Sequence, residues 1–341
     1  MTAATASYHV HMLDPMPETE VTFAQGLLPE TGFTVTAPAP DASAPSPELL
    51  AAADALVTRA QQVTAEILAA SPNVKIVQKY GGRPDRLDLD ASRNAGVAVA
   101  VMPLCGCIAV AELAMTLILA LSKQLIEAHR ATATGAYRDL GLEPAQSSQR
   151  VHAFQWMKLP HLQEVRGQTL GLIGFGEIGT EVAKRARAFD MNVLYHKREP
   201  LPAAIEDMLG VRAASLDDLL RQSDFVSLHV PHGDDTDRLI GARELALMKP
   251  TASLINTCRG PVVDEEALIA ALSNGTIASA GLDVFTLEPL QHDSLLTRLD
   301  NVILTPHIGG GTGGAREKQM RDVLDNVVRF ANDEPLLHRL V

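Results

Sequence analysis

The chain has 341 residues with a formal net charge of -12, and 46% of its residues are hydrophobic while 21% are charged. This length exceeds the size at which one hydrophobic core usually stops growing, so two domains are expected, and the composition excludes a globally disordered chain. The acidic balance makes nucleic acid and anionic membranes poor partners for the chain as a whole, so an acidic substrate must be bound by local cations.

The N-terminal segment and the cysteines bear on the cellular compartment. The first ten residues contain no basic region and no long apolar run, which indicates a cytoplasmic protein without a membrane span. Cys105, Cys107 and Cys258 make an odd number, which favours reduced thiols over a disulfide framework. Because Cys105 and Cys107 lack a second pair of ligands, they form a poor zinc site, and no metal is expected.

The first third of the chain alternates short apolar runs with helical segments. We predict strands over residues 9–13, 55–58, 74–78 and 97–101, with helices over 46–53, 64–70 and 88–95 between them. Residues 36–47 are rich in Pro, Ala and Ser, which predicts a loop. This pattern is typical of a small α/β unit.

The alternation restarts on a larger scale after residue 110. A long apolar helix over 110–125 precedes strands predicted at 169–173, 192–196, 225–229, 253–256, 277–282 and 302–304. Helices are predicted at 178–189, 216–222, 243–248 and 264–273, and a last one at 315–330. Because parallel strands need crossover connections, this regular alternation predicts an α/β protein with doubly wound parallel sheets.

A glycine-rich loop follows the first strand of the larger unit. Gly174, Gly176 and Gly179 form the pattern GxGxxG, with Glu177 and Ile178 inside it. Glycine permits the tight turn and lets the backbone approach a pyrophosphate, whose charge is met by amides at the N-terminus of the helix. Since a strand precedes the loop and a helix follows it, we predict a dinucleotide-binding site rather than a packing turn.

The next predicted strand ends in cations. His196, Lys197 and Arg198 stand where a site that prefers NAD usually places a carboxylate on the ribose 2'-hydroxyl. Cations there suit a 2'-phosphate, which they would bind through charge-assisted hydrogen bonds. Alternatively, Lys197 and Arg198 only cover a solvated loop while Glu199 turns to the ribose. We predict that NADP(H) is favoured over NAD(H).

Four further segments with polar side chains follow predicted strands, at residues 229–231, 255–260, 281–289 and 305–310. Ligands bind outside the carboxyl ends of the strands in open parallel sheets. Taken singly, each segment has a structural explanation: Arg259 as a surface charge, Glu288 as an acid before a proline, and His307 as a core histidine.

Together, and in this order after the glycine loop, the segments resemble the D-isomer-specific 2-hydroxyacid dehydrogenase family. Residues 82–89 are similar to that family's substrate loop, and residues 110–112 to the start of its interdomain helix. The resemblance implies a Rossmann nucleotide domain, residues 103–306, inserted into a smaller flavodoxin-like substrate domain, residues 1–102 and 307–341.

The resemblance also implies the catalytic roles. Arg259 would bind the substrate carboxylate and polarise its carbonyl, His307 would donate the proton, and Glu288 would hold His307 by a hydrogen bond. A fixed guanidinium and an imidazolium stabilise the negative charge that hydride transfer leaves on oxygen. A carboxylate beside a histidine favours the charged form of that histidine, so the acid is protonated before reduction.

The remaining binding residues are implied in the same way. The backbone around Tyr80, Gly81 and Gly82 would receive the substrate carboxylate, and Arg83 would face either solvent or a second anionic group of the substrate. Asp283 would lie near the nicotinamide carboxamide. Besides the glycine loop and the basic strand end, the residues implied to contact the cofactor are Pro231, Thr236, Thr257, Cys258, Arg259, Asp283, His307 and Gly309.

The family further implies a homodimer, formed through the apolar helix that begins at Val110. Trp156 lies in the segment where the family extends an arm across the dimer, although a core or surface role fits this tryptophan equally well.

Several activities stay open on this scaffold. Reduction of glyoxylate and hydroxypyruvate is the leading expectation, because Lys197 and Arg198 resemble the basic site of the reductases that use NADPH. Phosphoglycerate and phosphite dehydrogenases are the alternatives, whereas formate dehydrogenases pair a glutamine with the histidine, and Glu288 argues against them. A nicotinamide-sensing, corepressor-like protein shares the fold, but the compact length and the acidic balance argue against it.

Overall fold

The structure is a computed structural model that describes residues 7–42, 45–103, 106–150, 154–311 and 313–341. The chain separates into two compact units, one made of Met1–Gly106 with Thr312–Val341 and the other of Cys107–Gly311. The expected domain limits, 102/103 and 306/307, lie a few residues earlier. In the structure, His307 therefore belongs to the larger unit.

The regular elements of the described ranges follow in chain order. The strands are β1 (Tyr8–Met12), β2 (Phe33–Thr36), β3 (Ala55–Thr58), β4 (Ile76–Tyr80), β5 (Ala98–Met102), β6 (Thr169–Ile173), β7 (Asn192–His196), β8 (Val211–Ala213), β9 (Phe225–Leu228), β10 (Ser253–Asn256), β11 (Ser279–Leu282) and β12 (Val302–Leu304). The α-helices are α1 (Glu18–Leu27), α2 (Pro47–Ala52), α3 (Ala65–Ala69), α4 (Leu89–Asn94), α5 (Cys107–Ser122), α6 (Leu125–Thr134), α7 (Glu177–Ala188), α8 (Ala203–Leu209), α9 (Leu216–Gln222), α10 (Ala242–Leu247), α11 (Glu265–Asn274) and α12 (Ala315–Ala331). Short 3-10 helices cover Ala136–Leu140, Gly260–Val262 and Leu295–Arg298.

The smaller unit is built on a five-stranded parallel sheet in the order β2-β1-β3-β4-β5. One face packs against apolar residues of α1 and α12, such as Ala24 and Val323. The other face packs against Leu50 of α2 and Leu68 of α3. Helices on both faces of a parallel sheet in this order make a flavodoxin-like unit, as the family resemblance implied.

The larger unit contains a seven-stranded parallel sheet in the order β12-β11-β10-β9-β6-β7-β8. All seven strands are parallel, but β7 and β8 lie on one side of β6, whereas β9 to β12 lie on the other. The order of the strands therefore reverses between β6 and β9, and doubly wound sheets bind nucleotides at such a switch point. Helices α5 and α7 pack on one face, around residues such as Ile118 and Val182, and α9, α10 and α11 pack on the other. The predicted class of two parallel-sheet α/β units is confirmed.

Some predicted elements are wrong in position. The strand predicted over 74–78 runs over Ile76–Tyr80, so Tyr80 is the last residue of a strand and not part of the following loop. The long helix predicted over 110–125 starts at Cys107 and ends at Ser122. It ends there because Gln124 has a left-handed backbone (φ 45°), and α6 leaves at an angle of 58°.

Other elements were missed by the sequence analysis. They are α1, β2, α6, α8 and β8, which are 3 to 10 residues long. Elements of this kind form because neighbouring strands and helices pack against them, and a local pattern does not record that contribution.

Within the described residues, none of the helices is by itself both long enough and apolar enough to cross a bilayer. Only α5 together with α6, across the bend between them, reaches the required length and composition.

Candidate active site

Five polar segments of the larger unit follow strand ends on one edge of its sheet. They come after β6, β9, β10, β11 and β12, which are neighbours in the sheet. Because all five strands are parallel, their carboxyl ends share this edge. The segments that carry Arg259, Glu288 and His307 are therefore brought to one end of the unit by the fold.

His307 and Glu288 are in direct contact. The Nδ1 atom of His307 lies 2.5 Å from Oε2 of Glu288, and the two side chains are 46% and 35% exposed. Burial by itself would raise the pKa of Glu288, but the hydrogen bond to His307, the amide of Phe285 and the charges of His307 and Arg259 outweigh it and hold this pKa below its usual range. The carboxylate therefore stays ionised beside the imidazole, and Nε2 is the nitrogen left to face a substrate.

The backbone of His307 is held in an unusual conformation. Its φ of 54° lies in the left-handed region, which costs a non-glycine residue about 1 to 3 kcal/mol. Asp283, only 1% exposed, accepts hydrogen bonds from the Thr305 hydroxyl at 2.6 Å, the Ile308 amide at 2.9 Å and the Gly309 amide at 2.8 Å. These three bonds on either side of His307 fix the segment, so Asp283 acts as a positioning residue for the imidazole.

Arg259 lies in a turn that is held from inside the protein. The buried side chain of Asn256 accepts a hydrogen bond from the Cys258 amide and donates one to the Arg259 carbonyl, both at 3.0 Å. At the next residue, a Cβ on Gly260 would lie 1.9 Å from the carbonyl carbon of Phe285. Only glycine allows this approach, which joins the arginine turn to the segment that leads to Glu288. The guanidinium itself is exposed.

The sequence analysis quoted Asn256 as part of a motif but gave it no role. A signal was available, since an asparagine at the end of a buried strand commonly hydrogen-bonds the backbone of the following turn. Its partners in the turn, however, could only be identified from the structure.

The glycine loop meets the requirements of a dinucleotide. Gly174 has a φ of 92°, and a Cβ there would lie 2.5 Å from the carbonyl oxygen of His229, while a Cβ on Gly179 would lie 2.6 Å from the carbonyl of Gly174. Gly176, in contrast, has no described atom within 4 Å of such a Cβ. Packing therefore explains the first and third glycines but not the second, which precedes the first turn of α7 and has open space beside it, as a loop that approaches a pyrophosphate requires.

Two buried polar atoms beside the glycine loop lack a partner among the residues that the structure describes. They are Oγ1 of Thr257 and Nδ1 of His229, which follow the neighbouring strands β10 and β9. Burial lowers the pKa of His229 to about 3, so its imidazole is neutral. Unpaired buried groups are costly, and a bound cofactor that hydrogen-bonds them would remove that cost.

Other predicted cofactor residues are engaged within the protein. The hydroxyl of Thr236 donates to the carbonyl of Pro231 at 2.7 Å, which closes their loop. Burial raises the pKa of the Cys258 thiol to about 11, so this side chain is neutral. Ile178 packs against the apolar core beneath α7, and Glu177 is the first residue of that helix.

The basic end of β7 is largely free of carboxylates. His196 lies against the carbonyl of Ala214, with 3.1 Å between Nδ1 and the oxygen. Arg198 is 3.6 Å from Asp235, and both side chains are almost fully exposed. Lys197 forms no ion pair with any carboxylate of the described ranges. Its ammonium is therefore available for an anion.

The predicted substrate loop belongs to the smaller unit. Tyr80 is buried at the end of β4, and its hydroxyl lies 2.7 Å from the sulfur of Met320. Gly81 has a φ of 81°, and its carbonyl accepts the amide of Met102. Gly82 is half-buried and Arg83 is exposed. Their role toward a substrate stays a prediction.

Two other predictions concern Trp156 and the pair Cys105 and Cys107. Trp156 is 38% exposed, and its ring meets that of Tyr137 edge to face with 5.8 Å between the centroids. Cys107 is buried near Glu177, whereas Cys105 lies outside the described residues, so the expectation of reduced thiols stays a prediction for Cys105.

Comparison with known proteins agrees with this geometry. Residues 115–309 match the model of the D-isomer specific 2-hydroxyacid dehydrogenase NAD-binding domain. A glyoxylate reductase of Thermococcus onnurineus is 42% identical over 283 residues, which cover 82% of this chain and 80% of the relative. Among solved structures, a glyoxylate reductase from Paecilomyes thermophila is 30% identical with a TM-score of 0.68 and covers 98% of both chains.

A second solved structure is an acyclic imino acid reductase in complex with NADPH and D-Arg. It is 26% identical, has a TM-score of 0.64, and the match covers 98% of this chain and all of the other. The matched NAD-binding domain, the extent of identity with the archaeal relative and the shared fold establish that this chain belongs to the D-isomer-specific 2-hydroxyacid dehydrogenase family.

Proposed function

We propose that Arg259, Glu288 and His307 are the catalytic residues of an NAD(P)-dependent oxidoreductase that reduces a small 2-keto acid to the D-2-hydroxy acid. The observation that carries this proposal is the contact between Nδ1 of His307 and the ionised Glu288 at the sheet edge that also bears Arg259. An imidazole held at one nitrogen and free at the other, near a guanidinium, suits proton transfer to a carbonyl.

Each of the three residues has a defined task in the reduction. When bound, the nicotinamide supplies the hydride that arrives at C2 of the keto acid. Arg259 binds the substrate carboxylate and stabilises the charge that develops on the carbonyl oxygen. His307 delivers a proton to that oxygen from Nε2, and Glu288 keeps Nδ1 protonated and the ring in place. In the oxidation direction, the neutral imidazole takes up the hydroxyl proton.

Glyoxylate and hydroxypyruvate are the substrates proposed first. The archaeal and fungal relatives are named glyoxylate reductases, which supports a small 2-keto acid for this chain as well. The Tyr80, Gly81 and Gly82 backbone is proposed to bind the substrate carboxylate, with the glycines allowing close approach.

NADP(H) is proposed as the preferred cofactor. The glycine loop with Gly174, Gly176 and Gly179 would bind the pyrophosphate, and Thr257 would hydrogen-bond the cofactor. Lys197, which has no carboxylate partner in the described ranges, would bind a 2'-phosphate together with His196 and Arg198. The related imino acid reductase was solved with NADPH, which is consistent with this preference.

A cytoplasmic homodimer that uses α5, the helix containing Val110, is the proposed assembly. It is supported by the family resemblance and by exposed apolar side chains on and near this helix, including Ile108, Leu125 and Ile126.

The test is the initial rate of NADPH and NADH oxidation with glyoxylate, hydroxypyruvate and pyruvate. His307→Ala is expected to lower kcat by a factor of about 100 to 10,000, the usual contribution of a positioned acid. His292→Ala is the matched control, because this histidine is 98% exposed and its one ion-pair contact among the described residues is with Asp293 at 4.0 Å. Full activity of His307→Ala would refute the catalytic assignment, and no turnover with any 2-keto acid would favour phosphite chemistry or a sensor.

The cofactor preference is tested separately. Lys197→Ala is expected to lower the ratio of kcat/KM for NADPH to that for NADH about tenfold or more, since a charge-assisted hydrogen bond is lost. Lys75→Ala, in the smaller unit, serves as the control. An unchanged ratio in Lys197→Ala, or a preference of the unmodified protein for NADH, would contradict the proposal.

A further inference from the structure

The loop after β7, residues 197–202, carries charges of both signs. It contains two cations, Lys197 and Arg198, and one carboxylate, Glu199. Arg198 and Glu199 are exposed, and Lys197 is half-buried. The conformation of the loop decides which of these charges a bound ribose meets. The contacts that fix the loop therefore bear on the choice between NADP(H) and NAD(H), since specificity is a difference between two affinities.

Tyr195 holds the far end of this loop. Its side chain is fully buried in β7, and its hydroxyl accepts a hydrogen bond from the amide of Leu201 at 2.7 Å. The bond ties the end of the loop back to the strand from which the loop begins. Because Lys197 and Arg198 lie between these two points, the bond limits the positions that their side chains can reach.

Glu206 in α8 orients the Tyr195 hydroxyl. The hydroxyl donates its proton to Oε1 of Glu206 at 2.6 Å, which leaves its oxygen free to accept the amide of Leu201. The same carboxylate oxygen accepts the amide of Ala213 in β8 at 3.2 Å. Burial and the hydrogen bond to Glu206 raise the pKa of Tyr195, so the hydroxyl keeps the proton that it donates. These bonds join the loop to two strands and a helix.

Tyr195 also contacts the glycine loop. Its ring centroid lies 4.5 Å from that of Phe175, a buried residue between Gly174 and Gly176. The carbonyl of the next residue, His196, accepts the amide of Gly174 at 2.9 Å. One buried tyrosine thus connects the loop proposed to bind the pyrophosphate with the loop proposed to bind the 2'-phosphate, and both loops belong to the larger unit.

From these contacts we propose that Tyr195 and Glu206 are positioning residues for cofactor specificity. They hold the loop so that its two cations, and not its carboxylate, face the 2' position of the ribose. Neither side chain needs to touch the cofactor, because both act through the loop. The inference rests on the proposed preference for NADP(H), and its test distinguishes the two.

The test measures equilibrium binding of two probes that differ only in the 2'-phosphate, adenosine 2',5'-bisphosphate and adenosine 5'-monophosphate. Binding requires no turnover, so the result does not depend on the substrate. In the unmodified protein the bisphosphate is expected to bind at least about tenfold more tightly, and Lys197→Ala is expected to remove most of this preference. The readout is the ratio of the two Kd values, because a general loss of structure weakens both probes alike and leaves the ratio unchanged.

Three variants connect the ratio to the two positioning residues. Tyr195→Phe removes the acceptor of the Leu201 amide and is expected to reduce the preference about threefold to tenfold, the effect of one lost hydrogen bond. Glu206→Ala is expected to have a similar effect, because the hydroxyl loses its acceptor. Glu206→Gln should keep the ratio within about twofold, since one amide oxygen can accept both bonds that Oε1 accepts.

Tyr8→Phe and Glu244→Ala are the matched controls. The hydroxyl of Tyr8 donates to the carbonyl of Asp54 at 3.5 Å in the smaller unit, and Glu244 accepts the amide of Gly241 at 3.1 Å at the start of α10. Both controls should leave the ratio unchanged. Because Glu206 is only half-buried, its two variants decide the question if Tyr195→Phe does not fold.

An unchanged ratio in folded Tyr195→Phe and Glu206→Ala would overturn the inference, while a lowered ratio in Lys197→Ala would leave the proposed preference intact. A ratio that Glu206→Gln changes as much as Glu206→Ala, in either direction, would also overturn it, because the charge of Glu206 and not its hydrogen bonds would then set the preference. Equal binding of the two probes by the unmodified protein would instead refute the preference for NADP(H), and the inference would fall with it.

Discussion

Replacing Asp283 by asparagine should disable the protein by displacing His307. The carboxylate accepts three hydrogen bonds, two at Oδ1, from Thr305 and Ile308, and one at Oδ2, from Gly309. An asparagine has one acceptor oxygen and one NH2 group. Whichever way the amide is turned, at least one backbone N–H therefore faces a donor.

The size of the effect follows from these contacts. A hydrogen bond to a charged group contributes about 1.5 to 3 kcal/mol, and an unpaired buried donor costs a similar amount. The left-handed backbone of His307 costs about 1 to 3 kcal/mol. Because the lost bonds are worth at least as much as this strain, the segment should relax to another conformation. A misplacement of about 1 Å in a catalytic group costs on the order of a hundredfold in rate, so we expect kcat to fall by about that factor.

The assay is steady-state reduction of the best 2-keto acid, with Tm measured in parallel. Asp224→Asn is the matched control, because its carboxylate accepts the amide of Thr169 at 2.9 Å and pairs with Lys249 at 2.7 Å, but it precedes β9 at the opposite edge of the sheet. This control should lower Tm and leave kcat within about twofold. If Asp283→Asn lowers Tm but keeps its kcat, or if only the KM of the cofactor rises, the carboxylate does not hold His307.

Gly176, Glu288 and His11 are the subjects of three further predictions. Gly176→Val should leave Tm unchanged, because a Cβ there meets no described atom within 4 Å. The same substitution should raise the KM of the cofactor at least about tenfold. An unchanged KM would argue against pyrophosphate binding at this glycine. Glu288→Gln should lower kcat about tenfold to a hundredfold, because His307 loses its ionised partner. In the unmodified protein, the contact between His307 and the carboxylate persists as the pH falls to the lowered pKa of Glu288 and is lost below that pKa. Equal pH profiles of kcat for the two proteins would contradict this role of Glu288. Burial lowers the pKa of His11 to about 4, so the contribution of this histidine to the free energy of unfolding should be fully present above about pH 6.5 and should fall by up to about 3 kcal/mol toward pH 4. In urea unfolding, His11→Gln should lose less free energy of unfolding over this pH range than the unmodified protein, and the loss that remains should come from His229. An identical pH dependence of the two proteins would rule out His11 as the source.

Much of the larger unit could be predicted from local sequence. Strands β6, β7, β10 and β12 occupy the predicted residues, because each is a short apolar run between turn residues in a buried parallel sheet. Each unit also contains elements that the sequence analysis missed, namely α6, α8 and β8 in the larger unit and α1 and β2 in the smaller one. The stability of α1 and β2 comes from the neighbouring strand and from α12, which lies almost three hundred residues further along the chain.

Some features of the candidate site could be predicted from the sequence, and others are found only in the structure. The sequence by itself determined which chemical groups are present and their order, because the glycine loop, Arg259, Glu288 and His307 each follow a recognisable strand. The tertiary structure alone decided the left-handed backbone of His307, the three bonds to Asp283 and the exposure of Gly176 to open space. These features depend on distances between segments that are remote in the chain, and local residue patterns carry no information on such distances.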